Sequence, residues 1–183
     1  MKTVAIIGSL RKASYTRAIF NHYRSLLEMD EGQFADFPMY SEDLQALGFP
    51  ESVKRLGEQV RGSNGVIIFS PEYNYSVPGG LKNALDWVSR LPNQPFDGKP
   101  VALVTSSISK LGGARVQYQF RQIGVFLNMK LLNRPEVMVA EAHKKVNESG
   151  MLHDTETKEF LKTHVQAFKA FVQGETAKKT STK

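Results

Sequence analysis

Four apolar runs in this chain carry no polar alternation: Thr3-Val4-Ala5-Ile6-Ile7, Val66-Ile67-Ile68-Phe69, Val101-Ala102-Leu103-Val104 and Val137-Met138-Val139. A strand with one wet face alternates apolar and polar residues, whereas a strand apolar throughout must be covered on both faces. A parallel sheet sandwiched between helices meets that condition. Between the runs, apolar residues recur at helical spacing: Ile19, Phe20, Tyr23, Leu26 and Leu27; Val53, Leu56 and Val60; Leu81, Ala84, Leu85, Val88 and Leu91. Val116, Phe120, Ile123 and Leu127 mark a fourth helix, and Phe160, Leu161, Val165, Phe168 and Phe171 a fifth. A shorter strand is expected around Phe34–Phe37, closed by Pro38. The alternation predicts an α/β fold, a three-layer doubly wound five-stranded parallel sheet of order 2-1-3-4-5.

In that order, the flavodoxin-like one, the loops after the first and third strands lie side by side at the carboxyl edge, where open α/β sheets bind ligands. Both loops are polar and rich in turn formers. Gly8-Ser9-Leu10-Arg11-Lys12-Ala13-Ser14-Tyr15-Thr16 offers the hydroxyls of Ser9, Ser14 and Thr16, the Arg11 guanidinium and the N–H groups of a helix start. Such a set suits a phosphate. The loop has neither the Gly-Lys-Ser/Thr ending of a P-loop nor glycines two and five residues beyond Gly8, as a dinucleotide fingerprint requires. Taken alone, it reads equally as a strand-to-helix turn with Ser14 as N-cap and Arg11 solvated.

Pro71-Glu72-Tyr73-Asn74-Tyr75-Ser76-Val77-Pro78-Gly79-Gly80 follows the third strand. Its prolines stiffen the ends and its glycines allow close backbone approach. Tyr73 and Tyr75 can flank a ring or sit as amphipathic rim residues, and Asn74 and Ser76 can hydrogen-bond. A fixed turn here can aim N–H groups at the N1–O2 edge of a flavin. Glu72 is expected in a structural hydrogen bond or salt bridge rather than as an acid. Trp87 suits core, interface or ligand contact, and Asn83 and Asp86 are assigned to the polar face of the same helix. Phosphate loop and heterocycle loop together make a flavin site the leading reading.

The chain has 183 residues, 41% of them hydrophobic, enough for one domain over residues 1–173. Residues 174–183 form a basic tail expected to be disordered. The formal charge of +6 lies partly in that tail and is otherwise scattered, so no nucleic-acid partner is expected. A basic surface would still attract anionic nucleotides. No run approaches the roughly 20 apolar residues that cross a bilayer, and no charged-then-apolar leader opens the sequence. The cytoplasm is therefore the expected compartment, with no membrane partner. Cysteine is absent, which excludes disulfides, thiolate metal sites and cysteine nucleophiles. His22, His143, His153 and His164 lack metal-site spacing and are expected on surfaces or helix faces, so no metal is expected. A Gly-x-Ser-x-Gly nucleophile elbow is missing. Arg115, Gln117, Tyr118 and Arg121 read as an exposed helix face, with a subunit contact as the alternative.

Gly8-Ser9-Leu10-Arg11-x-x-Ser14-x-Thr16, taken with Pro71-Glu72-Tyr73-Asn74-Tyr75-Ser76-Val77-Pro78-Gly79-x-Leu81-Lys82-Asn83-Ala84-x-Asp86-Trp87, resembles the NADPH-dependent FMN reductase family. That family includes bacterial chromate- and quinone-reducing flavoproteins. The likeness runs from residue 3 to about residue 140 and takes in the turn Asn133-Arg134-Pro135-Glu136-Val137. It implies a flavodoxin-like fold, bound FMN, NADPH or NADH as electron donor, a small-molecule acceptor and a homodimer or homotetramer. By position, Ser9, Arg11, Ser14 and Thr16 would hold the FMN phosphate. Pro71, Glu72, Tyr73, Asn74 and Ser76 would border the isoalloxazine and ribityl chain, and Ser106 opens a third loop that would add a contact. Two positions depart from the family: Asn is common where Thr16 stands, and Ser106–Gly113 lacks the Pro/Gly-rich character often found there. The helix holding Leu81–Leu91, with Trp87, is the expected interface element. The expected activity is hydride transfer from NAD(P)H to FMN and onward to a quinone, flavin, azo or metal-oxyanion acceptor. The alternatives are a non-enzymatic flavodoxin-type electron carrier and a flavin-free interaction module.

Overall fold

The computed structural model describes residues 1–181. In chain order it has β1 (Thr3–Ile7), α1 (Tyr15–Leu26), β2 (Asp30–Gly32), α2 (Glu42–Ala46), α3 (Glu51–Arg61), β3 (Gly65–Pro71) and α4 (Gly79–Ser89). Then follow β4 (Pro100–Ser106), α5 (Ala114–Phe126), β5 (Lys130–Leu131), β6 (Val137–Val139), a 3₁₀ turn (Ala142–Lys144) and α6 (Thr155–Ser181). All pairings are parallel, in the order β2-β1-β3-β4-β5, with β6 also beside β4. The doubly wound sheet read from the apolar runs is the observed one.

Alternate residues of each strand feed two different cores. Ala5, Ile7, Ile67, Phe69, Ala102 and Val104 pack with α1 and α6 residues such as Phe20, Tyr23, Leu161 and Phe168. Val4, Ile6, Val66, Ile68, Val101 and Leu103 pack with residues of α3, α4 and α5, among them Leu56, Trp87 and Phe120. Burial on both faces is why Val4–Ile7, Val66–Phe69 and Val101–Val104 are apolar at every position.

Three elements differ from the sequence reading. The second strand is Asp30–Gly32, paired to Val4–Ile6, rather than Phe34–Phe37. Phe34 and Phe37 instead close a turn, with the Phe37 N–H donating to the Phe34 carbonyl at 3.1 Å and the rings 6.5 Å apart edge to face. Their hydrophobicity covers the sheet margin from a loop. The fifth column of the sheet is broken in two: Lys130–Leu131 pairs with Pro100–Val101, and Val137–Val139 with Val104–Ser106. Finally, α6 continues beyond residue 173 to Ser181, where the sequence reading placed a disordered tail. Glu175 and Lys178 pair one turn apart there, and the Thr176 hydroxyl donates to the Val172 carbonyl at 2.8 Å. Ala and Lys are strong helix formers, so the helix propagates without an apolar face. Residues 182–183 of that tail lie outside the described residues.

His164 is not on a surface face. It is 1% exposed in the α1–α6 core, and its Nδ1 lies 2.8 Å from the Tyr23 hydroxyl. Burial pushes its pKa down to about 4 and pushes the Tyr23 phenol up. The geometry fits a neutral imidazole with Tyr23 as donor.

Candidate cofactor site

Register places the ends of three central strands at one edge, with Ile7 opposite Phe69, Phe69 opposite Val104, and Pro71 opposite Ser106. The loops that leave these ends surround a cavity of about 270 Å³. Its walls are Ser9, Arg11, Ser14, Tyr15 and Thr16 from the first loop, Pro71, Glu72 and Tyr73 from the second, and Ser106, Ser107 and Ile108 from the third. Every residue the sequence singled out for a cofactor lies on this wall except Asn74 and Ser76.

The first loop starts at Gly8, whose N–H donates to the Phe69 carbonyl at 2.7 Å. A Cβ there would lie 2.7 Å from Leu81 Cδ2, so β1 and α4 approach this closely only over glycine. Ser14 is the N-cap of α1: its hydroxyl accepts from the Arg17 N–H at 3.1 Å, and its carbonyl accepts from the Ala18 N–H. The N–H groups of Tyr15 and Thr16 have no acceptor within the helix, which leaves them for an anion. Ser9, Ser14 and Thr16 are buried. Arg11 is exposed, its guanidinium 5.4 Å from the Tyr15 ring centre. Among the described residues no carboxylate pairs with Arg11. Three hydroxyls, a guanidinium and a helix N-terminus are the kinds of donor that suit a phosphate.

Tyr73–Ser76 is a two-residue hairpin. The Tyr73 N–H donates to the Ser76 carbonyl at 3.0 Å and the Ser76 N–H to the Tyr73 carbonyl at 2.9 Å. The two turn residues, Asn74 and Tyr75, are both left-handed, with φ of 50° and 64°. Such a turn favours Asn followed by Gly, and a Cβ-bearing residue at the second position is strained. The hairpin brings the Tyr73 hydroxyl 3.3 Å from Ser9 Oγ, and across the cavity floor Thr16 Oγ1 lies 3.0 Å from Ser106 Oγ. These two contacts join loops 64 and 90 residues apart in sequence.

The hairpin rests on α5. The Glu72 carboxylate, 4% exposed, accepts from Arg115 Nη1 and from the Val116 N–H, each at 3.2 Å. Glu72 is thus engaged in a hydrogen bond and a salt bridge of the kind the sequence suggests. It also supplies the N-terminal acceptor that α5 lacks in its own sequence, because the N-cap is Gly113. The Arg115 guanidinium lies 3.8 Å from the Tyr75 ring centre, and Gln119 holds residues 75–77 through its amide. Arg115 thus belongs to the site rather than to a bare helix face, and Gln117 is buried with its amide on the Val137 carbonyl at 2.8 Å. Gln119 gave no sequence signal, because nothing in an isolated helix tells a surface glutamine from one that braces a loop.

On α4 the expected assignments change. Trp87 is fully buried, donating from Nε1 to the Pro38 carbonyl at 2.8 Å. Asn83 is buried too, donating to that carbonyl at 2.9 Å and accepting from the Tyr40 N–H. Neither offers surface to a partner or belongs to a polar face. Leu81, Ala84, Leu85 and Val88 are buried, as is Leu91 just beyond the helix, so the apolar stripe of α4 is spent on the core. Asp86 is exposed and pairs with Lys82, as a polar-face residue does. Among the described residues no group of three or more metal-ligating side chains occurs, and no helix is long and apolar enough to cross a membrane.

The family model described as NADPH-dependent FMN reductase matches residues 1–144. A quinone reductase of Escherichia coli is 44% identical over 180 residues, covering 94% of this chain and 96% of that protein. An NAD(P)H-dependent FMN reductase of Pseudomonas aeruginosa is 41% identical over 177 residues, with 94% and 96% covered. Among solved structures, the flavoenzyme NAD(P)H:(acceptor) oxidoreductase FerB from Paracoccus denitrificans superposes with a TM-score of 0.85 at 30% identity, over 95% of this chain and 98% of that one.

Proposed function

The chain belongs to the NADPH-dependent FMN reductase family, and on that premise we propose that the cavity beyond β1, β3 and β4 holds FMN with its phosphate against the first loop. The protein is an NAD(P)H-dependent, FMN-containing oxidoreductase of the quinone reductase type. When bound, FMN supplies two-electron transfer between NAD(P)H and an acceptor such as a quinone, a free flavin, an azo compound or a metal oxyanion.

The observation that carries the reading is the donor set gathered at the start of α1: Ser9, Ser14 and Thr16 with an Arg11 that no carboxylate neutralises among the described residues. That set fits a terminal phosphate. Ser14 and the free N–H groups of Tyr15 and Thr16 orient it, and Arg11 balances its charge. Thr16 and Ser106, hydrogen-bonded to each other, fix the floor. Pro71 and Tyr73 form the wall on which the ring system would lie. Glu72 and Ser76 act one step back, because Arg115, Val116 and Gln119 take up their oxygens. Asn74, at the exposed tip, contributes its left-handed backbone. The oxidoreductase acts on a small-molecule acceptor, in the cytoplasm, as a homodimer or homotetramer.

The test uses the purified protein loaded with FMN. Heat release and chromatography should return FMN and not FAD, because the donor set at the start of α1 suits a single terminal phosphate. Without any partner protein, the sample should oxidise NADPH or NADH when given a simple quinone. Failure of both nicotinamides to reduce the bound flavin would overturn the enzyme reading in favour of an electron carrier.

A further inference from the structure

We propose that Gln119 is a positioning residue for the cofactor: from α5 its amide holds the Asn74–Tyr75 turn in the left-handed conformation that sets the cavity wall. The inference rests on the reading that this hairpin borders FMN. Three bonds carry it. Gln119 Nε2 donates to the Tyr75 carbonyl at 3.0 Å, and Oε1 accepts from the Ser76 hydroxyl at 2.8 Å and from the Val77 N–H at 3.1 Å. Three consecutive residues are thereby tied to one side chain 42 to 44 positions away.

The turn needs such a clamp. Tyr75 has φ of 64°, where its Cβ crowds the backbone, and it is 66% exposed, so no core packing holds it there. Glycine at this position would bear no such penalty. The Gln119 amide combines a donor for the Tyr75 carbonyl with an acceptor for Ser76 and Val77. Glutamate keeps the acceptor and loses the donor, and leucine loses both. Arg115 also lies on the Tyr75 ring, but replacing it strips Glu72 as well, so Gln119 is the clean probe.

Without the clamp, a turn that spends about nine-tenths of its time in other conformations weakens cofactor binding about tenfold. The test is FMN titration of apoprotein, followed by flavin fluorescence, for Gln119→Leu in the natural background and in a Tyr75→Gly background. Gln119→Leu should weaken FMN about tenfold in the first and less than about threefold in the second, because glycine removes the strain that the amide holds. Gln119→Glu should fall between wild type and Gln119→Leu. The thermal midpoint of the apoprotein reports whether the variants fold. An equal loss in both backgrounds, or no loss in either, overturns the inference. Tyr73→Ala separates the two levels of argument: if it weakens FMN while Gln119→Leu does not, only the clamp is wrong. If neither changes FMN binding, the hairpin does not border the cofactor.

Discussion

Glu72 stands at the mouth of the cavity, where a carboxylate could be an acid or a structural tie, and replacing it decides between them. Its side chain is 4% exposed, with one oxygen on the Val116 N–H and the other on Arg115, each at 3.2 Å. A hydrogen bond from a backbone N–H to a charged acceptor is worth about 1.5–3 kcal/mol. The Arg115 side chain is 39% exposed, so water takes over its solvation and the ion pair adds at most about 1 kcal/mol. Its position against the N-terminus of α5 adds about 0.3–1 kcal/mol from the helix dipole. Allowing for overlap among these effects, Glu72→Ala should destabilise the apoprotein by about 2–3 kcal/mol. In a chain of this length that lowers the thermal midpoint by about 4–12 °C. Glu72→Gln keeps a neutral acceptor for Val116 and should lose about half as much. Thermal and urea unfolding of apoprotein, monitored by circular dichroism, read the effect without cofactor chemistry. A midpoint unchanged within about 1 °C, together with loss of quinone-dependent NAD(P)H oxidation, would refute the structural assignment and make Glu72 a catalytic acid.

Arg11→Ala should weaken FMN about ten- to 150-fold, the worth of a hydrogen bond to a charged group, without moving the apoprotein midpoint; unchanged affinity in titration would remove Arg11 from the phosphate site. His164 has its pKa lowered from 6.5 to about 4 by burial, so the unfolded chain takes up the proton first as pH falls. Stability should be full above about pH 6.5, decline by up to about 3 kcal/mol toward pH 4 and flatten below. Urea midpoints across that window should lose much of this slope in His164→Gln, and an unaltered slope would show that other groups carry it. Gly112→Ala should destabilise by about 1–3 kcal/mol or more, because φ is +59° and a Cβ would lie 2.6 Å from the Met138 carbonyl group; an unchanged unfolding midpoint would contradict that geometry.

The sheet was legible because its central strands are buried on two faces, a condition that writes itself into composition. Val66–Phe69 and Val101–Val104 have no polar position to spare, and periodicity then separates them from the helices. Legibility failed where burial is one-sided. Asp30–Gly32 is a charged edge strand recognisable only by its pairing with Val4–Ile6, while Phe34 and Phe37 imitate a strand from inside a turn. Trp87 shows the same limit from the other side: its spacing put it on a helix, but its partner is the Pro38 carbonyl, 49 residues away. No local pattern records that contact.

At the site, what was readable was the chemistry that each loop carries by itself. Hydroxyls beside an arginine at a strand-to-helix turn suggest a phosphate whatever surrounds them, and Ser9, Arg11, Ser14 and Thr16 all line the cavity. The second loop was readable as a rigid turn but not as a held one. Asn74 at φ of 50° suits its position, since Asn tolerates the left-handed region, whereas Tyr75 at 64° contradicts local preference. A residue in a conformation its own sequence disfavours must be held from elsewhere, and here the holding groups are Arg115 on the ring and Gln119 on the backbone. Both sit on α5, whose first turn in turn depends on Glu72 from the loop it braces. Loop and helix therefore stabilise each other, and neither half of that arrangement can be read from its own sequence alone.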